Sequence, residues 1–281
     1  MTKSKPQPER IQKLLARAGV GSRRQIEVWI KEGRIRINGR PAALGDRIAL
    51  TDKVRLDGRE ISLAKSLPAA RRVLAYYKPA GEVCTRRDPE GRRTVFDRLP
   101  RIKRGRWINI GRLDINTQGL LLFTNDGELA NRFMHPSHEI EREYAVRVLG
   151  KVGQEQIGNL TKGVKLEDGP ARFSSVTDAG GEGSNHWYHV VIMEGRNREV
   201  RRLWEAVGVK VSRLIRIRYG PYSLPSKYKT GQFWDLDPVE VEALAAAVGM
   251  GPETINKVES ESGGREANSA PKPRRRPARR R

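Results

Sequence analysis

The order of apolar and polar positions divides the chain into three stretches. In the first, Ile11, Leu14, Leu15 and Ala18 recur at i, i+3, i+4 and i+7, the spacing of one helix face. Gly19 and Gly21 break that helix. Ser22 stands three residues before Gln25, a capping-box pattern that opens a second helix with Ile26, Trp29 and Ile30 as its stripe and Gly33 as its stop. Arg34-Ile35-Arg36-Ile37 alternates as a strand does, and Asn38-Gly39 is a tight-turn dipeptide. Val54, Leu56 and Ile61 around Asp57-Gly58 read as a second hairpin. Two short helices followed by small strands fill a first module, residues 9–66.

Residues 62–71, with Ser, Ala, Lys and Pro and no clear period, read as a linker. A larger stretch, 72–246, then carries strand patterns at Val73–Tyr77, Trp107–Ile110, Leu120–Phe123, Tyr144–Val148, Trp187–Ile192 and Leu214–Ile217. Helical segments fall near Glu128–Phe133, Gln154–Leu160 and Arg198–Val207. Many strands with a few interspersed helices predict an α+β domain with a mixed, largely antiparallel sheet. From about Gly249 to Arg281 the chain turns to Gly, Ser, Glu and Asn and ends in Pro-Lys-Pro-Arg-Arg-Arg-Pro-Ala-Arg-Arg-Arg. Such a stretch buries too little apolar area to offset its ordering entropy, so a disordered basic tail is expected over 249–281.

Charge narrows the partner. Lys and Arg number 55 against 33 Asp and Glu, a net charge of +22. Residues 1–66 hold 16 basic and 7 acidic side chains and residues 265–281 hold 8 and 1, so most of the surplus flanks the large stretch. A balance this positive calls for a polyanion. No apolar run approaches 18 residues, which argues against a membrane span. The N-terminal MTKSKPQPERIQ lacks the apolar core of a secretion signal. The single cysteine, Cys84, has no partner for an internal disulfide, and a cytoplasmic setting is expected. Arg23 and Arg24 lie at the start of the second helix, with Arg17, Lys31, Arg34 and Arg36 nearby in sequence, a setting suited to phosphate oxygens.

The candidate chemistry lies in the run from Gly111 to Gly127. It presents Arg112-Leu113-Asp114 in a turn between two apolar strands, with Gly111 and Gly119 permitting close backbone approach and Thr and Asn available to fix the turn. Taken alone this is a carboxylate offered from a rigid sheet edge, and an ordinary Asx-type turn is the commoner use of such an aspartate. His186 and His189 have no other His or Cys nearby and would face opposite sides of a strand, which speaks against zinc. Cys84 lacks the setting of a nucleophile. No Walker or dinucleotide glycine motif occurs, so neither ATP nor NAD is expected.

Two resemblances sharpen this. The run from Lys13-Leu14-Leu15-Ala16 through Gly21-Ser22-Arg23-Arg24 to Gly33–Gly39 resembles the S4 RNA-binding domain. Gly111-Arg112-Leu113-Asp114 followed by Thr117-Gln118-Gly119-Leu120-Leu121 closely resembles the catalytic motif of the RsuA/RluB/RluE/RluF family of rRNA pseudouridine synthases. Tyr76–Gly81 matches that family's first motif, Glu143-Tyr144-Ala145-Val146 its tyrosine motif, and Glu194–Leu203 its basic motif. The Arg196-Asn197-Arg198-Glu199 variant, with the loop Asp88-Pro89-Glu90-Gly91-Arg92, looks most like the RluB branch, which acts on large-subunit (23S) rRNA.

The resemblance implies an isomerase that turns one uridine of 23S rRNA into pseudouridine without metal or cofactor, as a monomer. It implies that Asp114 is the catalytic aspartate and that Arg112 occupies the space left by the flipped base. It further implies that Tyr144 stacks on the target base, Arg201 pairs with the aspartate, and Leu203 walls the pocket. Helix spacing fits the last two. Val200, Leu203, Trp204 and Val207 form an apolar stripe beside a polar face of Arg198, Arg201, Arg202 and Glu205. The alternatives are a non-catalytic S4-type RNA-binding or ribosome-assembly factor, a synthase for another rRNA site, and a nucleic-acid glycosylase.

Overall fold

The computed structural model describes residues 8–68, 70–150, 152–182 and 185–251. The basic tail expected over 249–281 lies outside the described residues from 252 onward.

The N-terminal module forms as its spacing predicts. Helices α1 (Ile11–Arg17) and α2 (Arg23–Lys31) pack on a four-stranded sheet made of Ile35–Ile37, Arg40–Pro41, Val54–Leu56 and Arg59–Ile61. Ser22 caps α2, its Oγ accepting the Gln25 N–H at 3.0 Å. Asn38-Gly39 and Asp57-Gly58 all take positive φ, the conformation a two-residue hairpin turn demands. Ile11, Leu14, Leu15, Ile26, Ile35 and Val54 form its core. Part of the expected linker is instead ordered. Leu63–Ser66 makes one helical turn, α3, because Leu63 is buried against that core.

The large domain is built on a nine-stranded sheet. Its strands are β1 (Val73–Lys78), β2 (Ile108–Ile110), β3 (Gln118–Thr124), β4 (Arg142–Leu149), β5 (Ser175–Glu182), β6 (Asn185–Ile192), β7 (Val211–Tyr219), β8 (Tyr222–Ser223) and β9 (Phe233–Asp235). The main order is β5-β6-β4-β7-β3-β1-β9, with β2 on β3 and β8 on β7. Every pairing is antiparallel except β7 with β3. The sheet is thus mixed and largely antiparallel, as its strand patterns predict.

Both faces of the central strands are apolar, and each is covered. On one side α5 (Gln154–Lys162) and α6 (Glu199–Ala206) bring Leu160, Leu203 and Trp204 against Leu74, Leu121 and Val146. On the other, α4 (Gly127–Met134) and α7 (Pro238–Ala247) bring Leu129, Phe133 and Leu244 against Val73, Ala75 and Leu120. Neighbouring residues of β1 and β3 therefore belong to opposite cores, which explains why these strands read as continuous apolar runs. Two elements escape the apolar pattern. β5 is polar and mostly exposed, and it exists by pairing with β6. The hairpin Val164–Leu166 with Gly169–Ala171 is too short to show a period.

Candidate active site

Asp114 lies on the turn between β2 and β3, and the main chain of this turn is held from beneath. Lys78, the last residue of β1, has 0% of its surface exposed. Its Nζ donates to the carbonyls of Pro79 at 2.9 Å, Thr117 at 3.0 Å, Asp114 at 3.2 Å and Ile115 at 3.4 Å. The Thr117 N–H closes on the Asp114 carbonyl at 3.0 Å and the Gly81 N–H on that of Ile115 at 2.7 Å. Leu113 is pinned by Cys84, whose Sγ donates to its carbonyl at 3.2 Å and accepts its N–H at 3.4 Å. Burial pushes the Lys78 pKa down, and the nearby carboxylates of Glu82 and Asp114 oppose that shift. Burial pushes the Cys84 thiol up, keeping it a protonated packing group rather than a nucleophile.

The turn rests on a row of residues at one level of the sheet. Lys78 of β1 pairs with Gly119 of β3, Gly119 with Arg216 of β7, and Arg216 with Tyr144 of β4. Directly paired residues project to the same face. Lys78, Arg216 and Tyr144 therefore converge beneath Asp114, with Gly119 providing the gap. A Cβ on Gly119 would stand 2.2 Å from the Arg216 carbonyl oxygen, and its φ of +110° is one that side chains avoid. Beside Tyr144 the register slips by one residue, so that Glu143 faces Arg218 while Tyr144 faces Arg216. Such a bulge bends the strand and re-aims the side chain next to it.

Arg216 was not a candidate from the sequence. It is 1% exposed, its Nε donates to the Leu120 carbonyl at 2.8 Å, and its guanidinium lies 4.6 Å from the Tyr219 ring centre. Its Nη2 has no hydrogen-bond partner. A guanidinium does not give up its proton, so this is a buried positive charge at the cleft. Only the pairing across β7 reveals it, because Leu214-Ile215-Arg216-Ile217 reads as an ordinary alternating strand.

The sequence candidates meet here in part. Asp114, Tyr144, Arg112 and Arg216 line one open cleft of about 1090 Å³. Arg112 is exposed at its rim. Arg201 reaches the same turn, but through the main chain. Its Nη2 donates to the Asn116 carbonyl and its Nη1 to that of Val211, both at 3.2 Å. It thus faces Asp114 through its field rather than a side-chain contact. Burial and the neighbouring Arg198 push its pKa down, against the Asp114 charge. Leu203 does not wall the cleft. It is 0% exposed in the core, and Val200 and Leu214 supply the apolar lining instead. The stripe spacing of α6 is correct, yet its middle residue points straight at the sheet while Val200, nearer the helix start, reaches the opening.

The N-terminal arginines divide similarly. Arg17 is paired with Glu9 at 2.8 Å. Arg34 is held by Asp57 through two bonds of 2.9 and 2.6 Å and lies over Trp29. These two are engaged within the protein. Arg23 and Arg24 stand exposed on the first turn of α2, and Arg36 is exposed with its Nε donating to the Gly39 carbonyl at 3.1 Å. His186 and His189 each meet a carboxylate, Asp178 at 2.6 Å and Glu143 at 3.6 Å.

Lys78 gives a direct test of how the turn is held. Lys78→Met strands several buried carbonyls and is expected to cost roughly 3–5 kcal/mol of stability. Urea denaturation checks this, and an unshifted midpoint would mean that the turn supports itself.

Residues 72–206 match the RNA pseudouridylate synthase family, and residues 9–54 match the S4 domain. Over 248 residues, 88% of this chain, it is 60% identical to ribosomal large subunit pseudouridine synthase B of Pseudomonas aeruginosa. Over 252 residues, 89% of this chain, it is 59% identical to the protein of the same name in Escherichia coli strain K12. The chain spans 64% of the length of the first relative and 87% of the second. A crystal structure of a pseudouridylate synthase superposes with a TM-score of 0.58 at 25% identity, covering 84% of this chain and 99% of that one. With an aspartate turn braced over a mixed sheet, an S4 module ahead of it and this degree of identity, the chain belongs to the RNA pseudouridylate synthase family.

Proposed function

We propose that this protein isomerises a specific uridine of large-subunit (23S) rRNA to pseudouridine, with Asp114 as the catalytic residue. The observation that carries the reading is the placement of Asp114. It is a carboxylate on a main-chain turn braced by buried Lys78 and Arg201, sharing one cleft with Tyr144. The names of the two relatives support the choice of large-subunit rRNA.

The reaction breaks the N1–C1′ bond, turns the base, joins C5 to C1′ and returns the C5 proton to solvent or to nitrogen. Atoms and electrons balance within the nucleotide and a proton, so the protein acts with its own side chains. Asp114 serves as nucleophile at base or sugar, or as the group that removes a sugar proton, and each route needs it ionised. The guanidiniums of Arg201, bonded to the turn, and Arg216, in the cleft lining, supply fixed positive charge beside the reacting centre. Flipping the uridine out of its stack costs a few kcal/mol. Stacking on Tyr144 returns about 1–3 kcal/mol of that. Arg112, exposed at the rim, enters the space the base leaves, and Val200 and Leu214 form the apolar wall. Arg23, Arg24 and Arg36 of the S4 module grip phosphates away from the cleft. The protein acts as a cytoplasmic monomer. Among the described residues no helix is long and apolar enough to cross a membrane.

The test is incubation with unmodified 23S rRNA, followed by carbodiimide modification and primer extension. One new stop is expected. No stop would end the reading, and release of free uracil would convert it to a glycosylase.

A further inference from the structure

The N-terminal module and the large domain meet where Gly19 lies against Gly105. Gly19, after α1, and Gly105, in the loop before β2, both take positive φ. A Cβ on Gly19 would stand 2.5 Å from the Gly105 carbonyl oxygen, and one on Gly105 would stand 2.9 Å from the Pro68 ring and 3.2 Å from the Arg17 carbonyl oxygen. At Gly19 backbone therefore lies on backbone, a fit that a side chain there would block. One ion pair, Lys13 to Glu128 at 3.9 Å, also crosses the junction.

Beside the seam, like charges gather from both modules. Arg106 directly follows Gly105. Its Nε is buried without a hydrogen-bond partner. Arg86 lies over the Phe96 ring and donates to the carbonyl of Trp107, the next residue. Arg23 stands on the other side, on the first turn of α2 four residues after Gly19. Arg106 is close enough to repel both Arg23 and Arg86. No carboxylate within 4.0 Å of any of these three guanidiniums occurs among the described residues. Elsewhere on this protein arginines find acids, as Arg34, Arg92, Arg202 and Arg218 do. Three cations collected across an interface and left without an anion cost free energy unless an anion arrives with the ligand.

We infer that Arg23, Arg86 and Arg106 form a phosphate clamp that takes a phosphodiester of the RNA substrate at the junction, so that RNA binding and the docking of the S4 module stabilise each other. The inference rests on the reading that the ligand is RNA. The clamp lies apart from the Asp114 cleft, whose lining includes none of the three. A phosphate there lowers the repulsion between modules, and docked modules in turn present three donors to one phosphate. The S4 module is thereby held at a fixed offset from the cleft, which selects RNAs whose backbone passes both points.

The experiment is fluorescence anisotropy of the full chain with a labelled 23S rRNA fragment across a salt series. The proteins are wild type, Arg106→Gln, Arg23→Gln with Arg106→Gln, and Lys162→Gln as a charge-matched control on α5. Each clamp substitution is expected to weaken binding by about 3–10-fold and to lower the slope of log K against log salt by about 0.7–0.9. The control should move neither by that much. Gly19→Ala keeps every charge but opens the seam, and on that background Arg106→Gln is expected to cost little more. Should Gly19→Ala fail to fold, the arginine variants still decide. Equal slopes for Arg106→Gln and Lys162→Gln would overturn the clamp. Inorganic phosphate at matched ionic strength should displace the Arg106-dependent part of the binding, and failure to do so would also overturn it. A wild type that binds this RNA but yields no pseudouridine would sink the proposed activity and leave the clamp standing.

Discussion

Asp114→Asn is expected to abolish pseudouridine formation while leaving the protein folded and able to bind RNA. The amide has nearly the shape of the carboxylate, and the turn is held by the carbonyls of residues 114, 115 and 117 rather than by the Asp114 side chain. Stability should therefore change little. The chemistry should fall by at least about 10³-fold, since an amide neither attacks carbon nor removes a proton. Single-turnover assays on 23S rRNA, with denaturation and binding measured on the same sample, separate these effects. Retained isomerisation would remove Asp114 from its role. A protein that binds RNA and never isomerises it, in wild-type form as well as mutant, would favour the reading of an assembly factor.

Arg216→Met separates chemistry from stability more sharply. A buried guanidinium with an open Nη2 is a poor stabiliser, because the cost of desolvating it is returned only in part by one bond to Leu120 and the Tyr219 ring. Replacing such a charge with an apolar side chain of similar length is often neutral, so a change within about 2 kcal/mol is expected. Activity is expected to fall about 10²–10³-fold, the usual effect of removing one preorganised charge or donor from a reacting centre. Arg216→Lys keeps the charge without the planar fork and should fall between the two. Single-turnover rates and urea midpoints on the same preparations check this. A large loss of stability together with activity would instead make Arg216 a strut of the sheet.

Legibility followed the range of the interactions. The first module was readable because its signals are local. Ser22 caps α2, Asn38-Gly39 and Asp57-Gly58 turn the hairpins, and Leu14 of α1 with Ile26 and Ile30 of α2 bury one stripe from each helix. Helix α7 carried an equally local signal that sequence reading passed over. Asp237 caps it, Pro238 is its first residue and Glu240 completes a capping box. β5 gave no signal, since its polar residues acquire strand form only from β6. The turn at α3 was missed for a related reason, because Leu63 has meaning only against a core assembled from distant residues.

The candidate site divided along the same line. The motif around Asp114 and the tyrosine of β4 are contiguous stretches, and both reached the cleft. Which neighbour serves which role was not contiguous. Leu203 and Val200 share one helical stripe, and only the distance from α6 to the sheet decides that Leu203 is core while Val200 meets the opening. Arg201 and Arg216 are both arginines on regular elements. Their main-chain acceptors, Asn116 and Val211 for one and Leu120 for the other, lie 10 to 96 residues away in sequence. By itself the sequence pointed to a small helical module ahead of a largely antiparallel sheet and to the basic character, because periodicity, turn chemistry and net charge are summed over neighbours, while Asp114 stood out only through the contiguous motif that resembles the family's. Only the tertiary structure decided that Lys78, Gly119, Arg216 and Tyr144 stand in one row and that Gly19 meets Gly105. Strand register and backbone approach arise between segments that no local pattern connects.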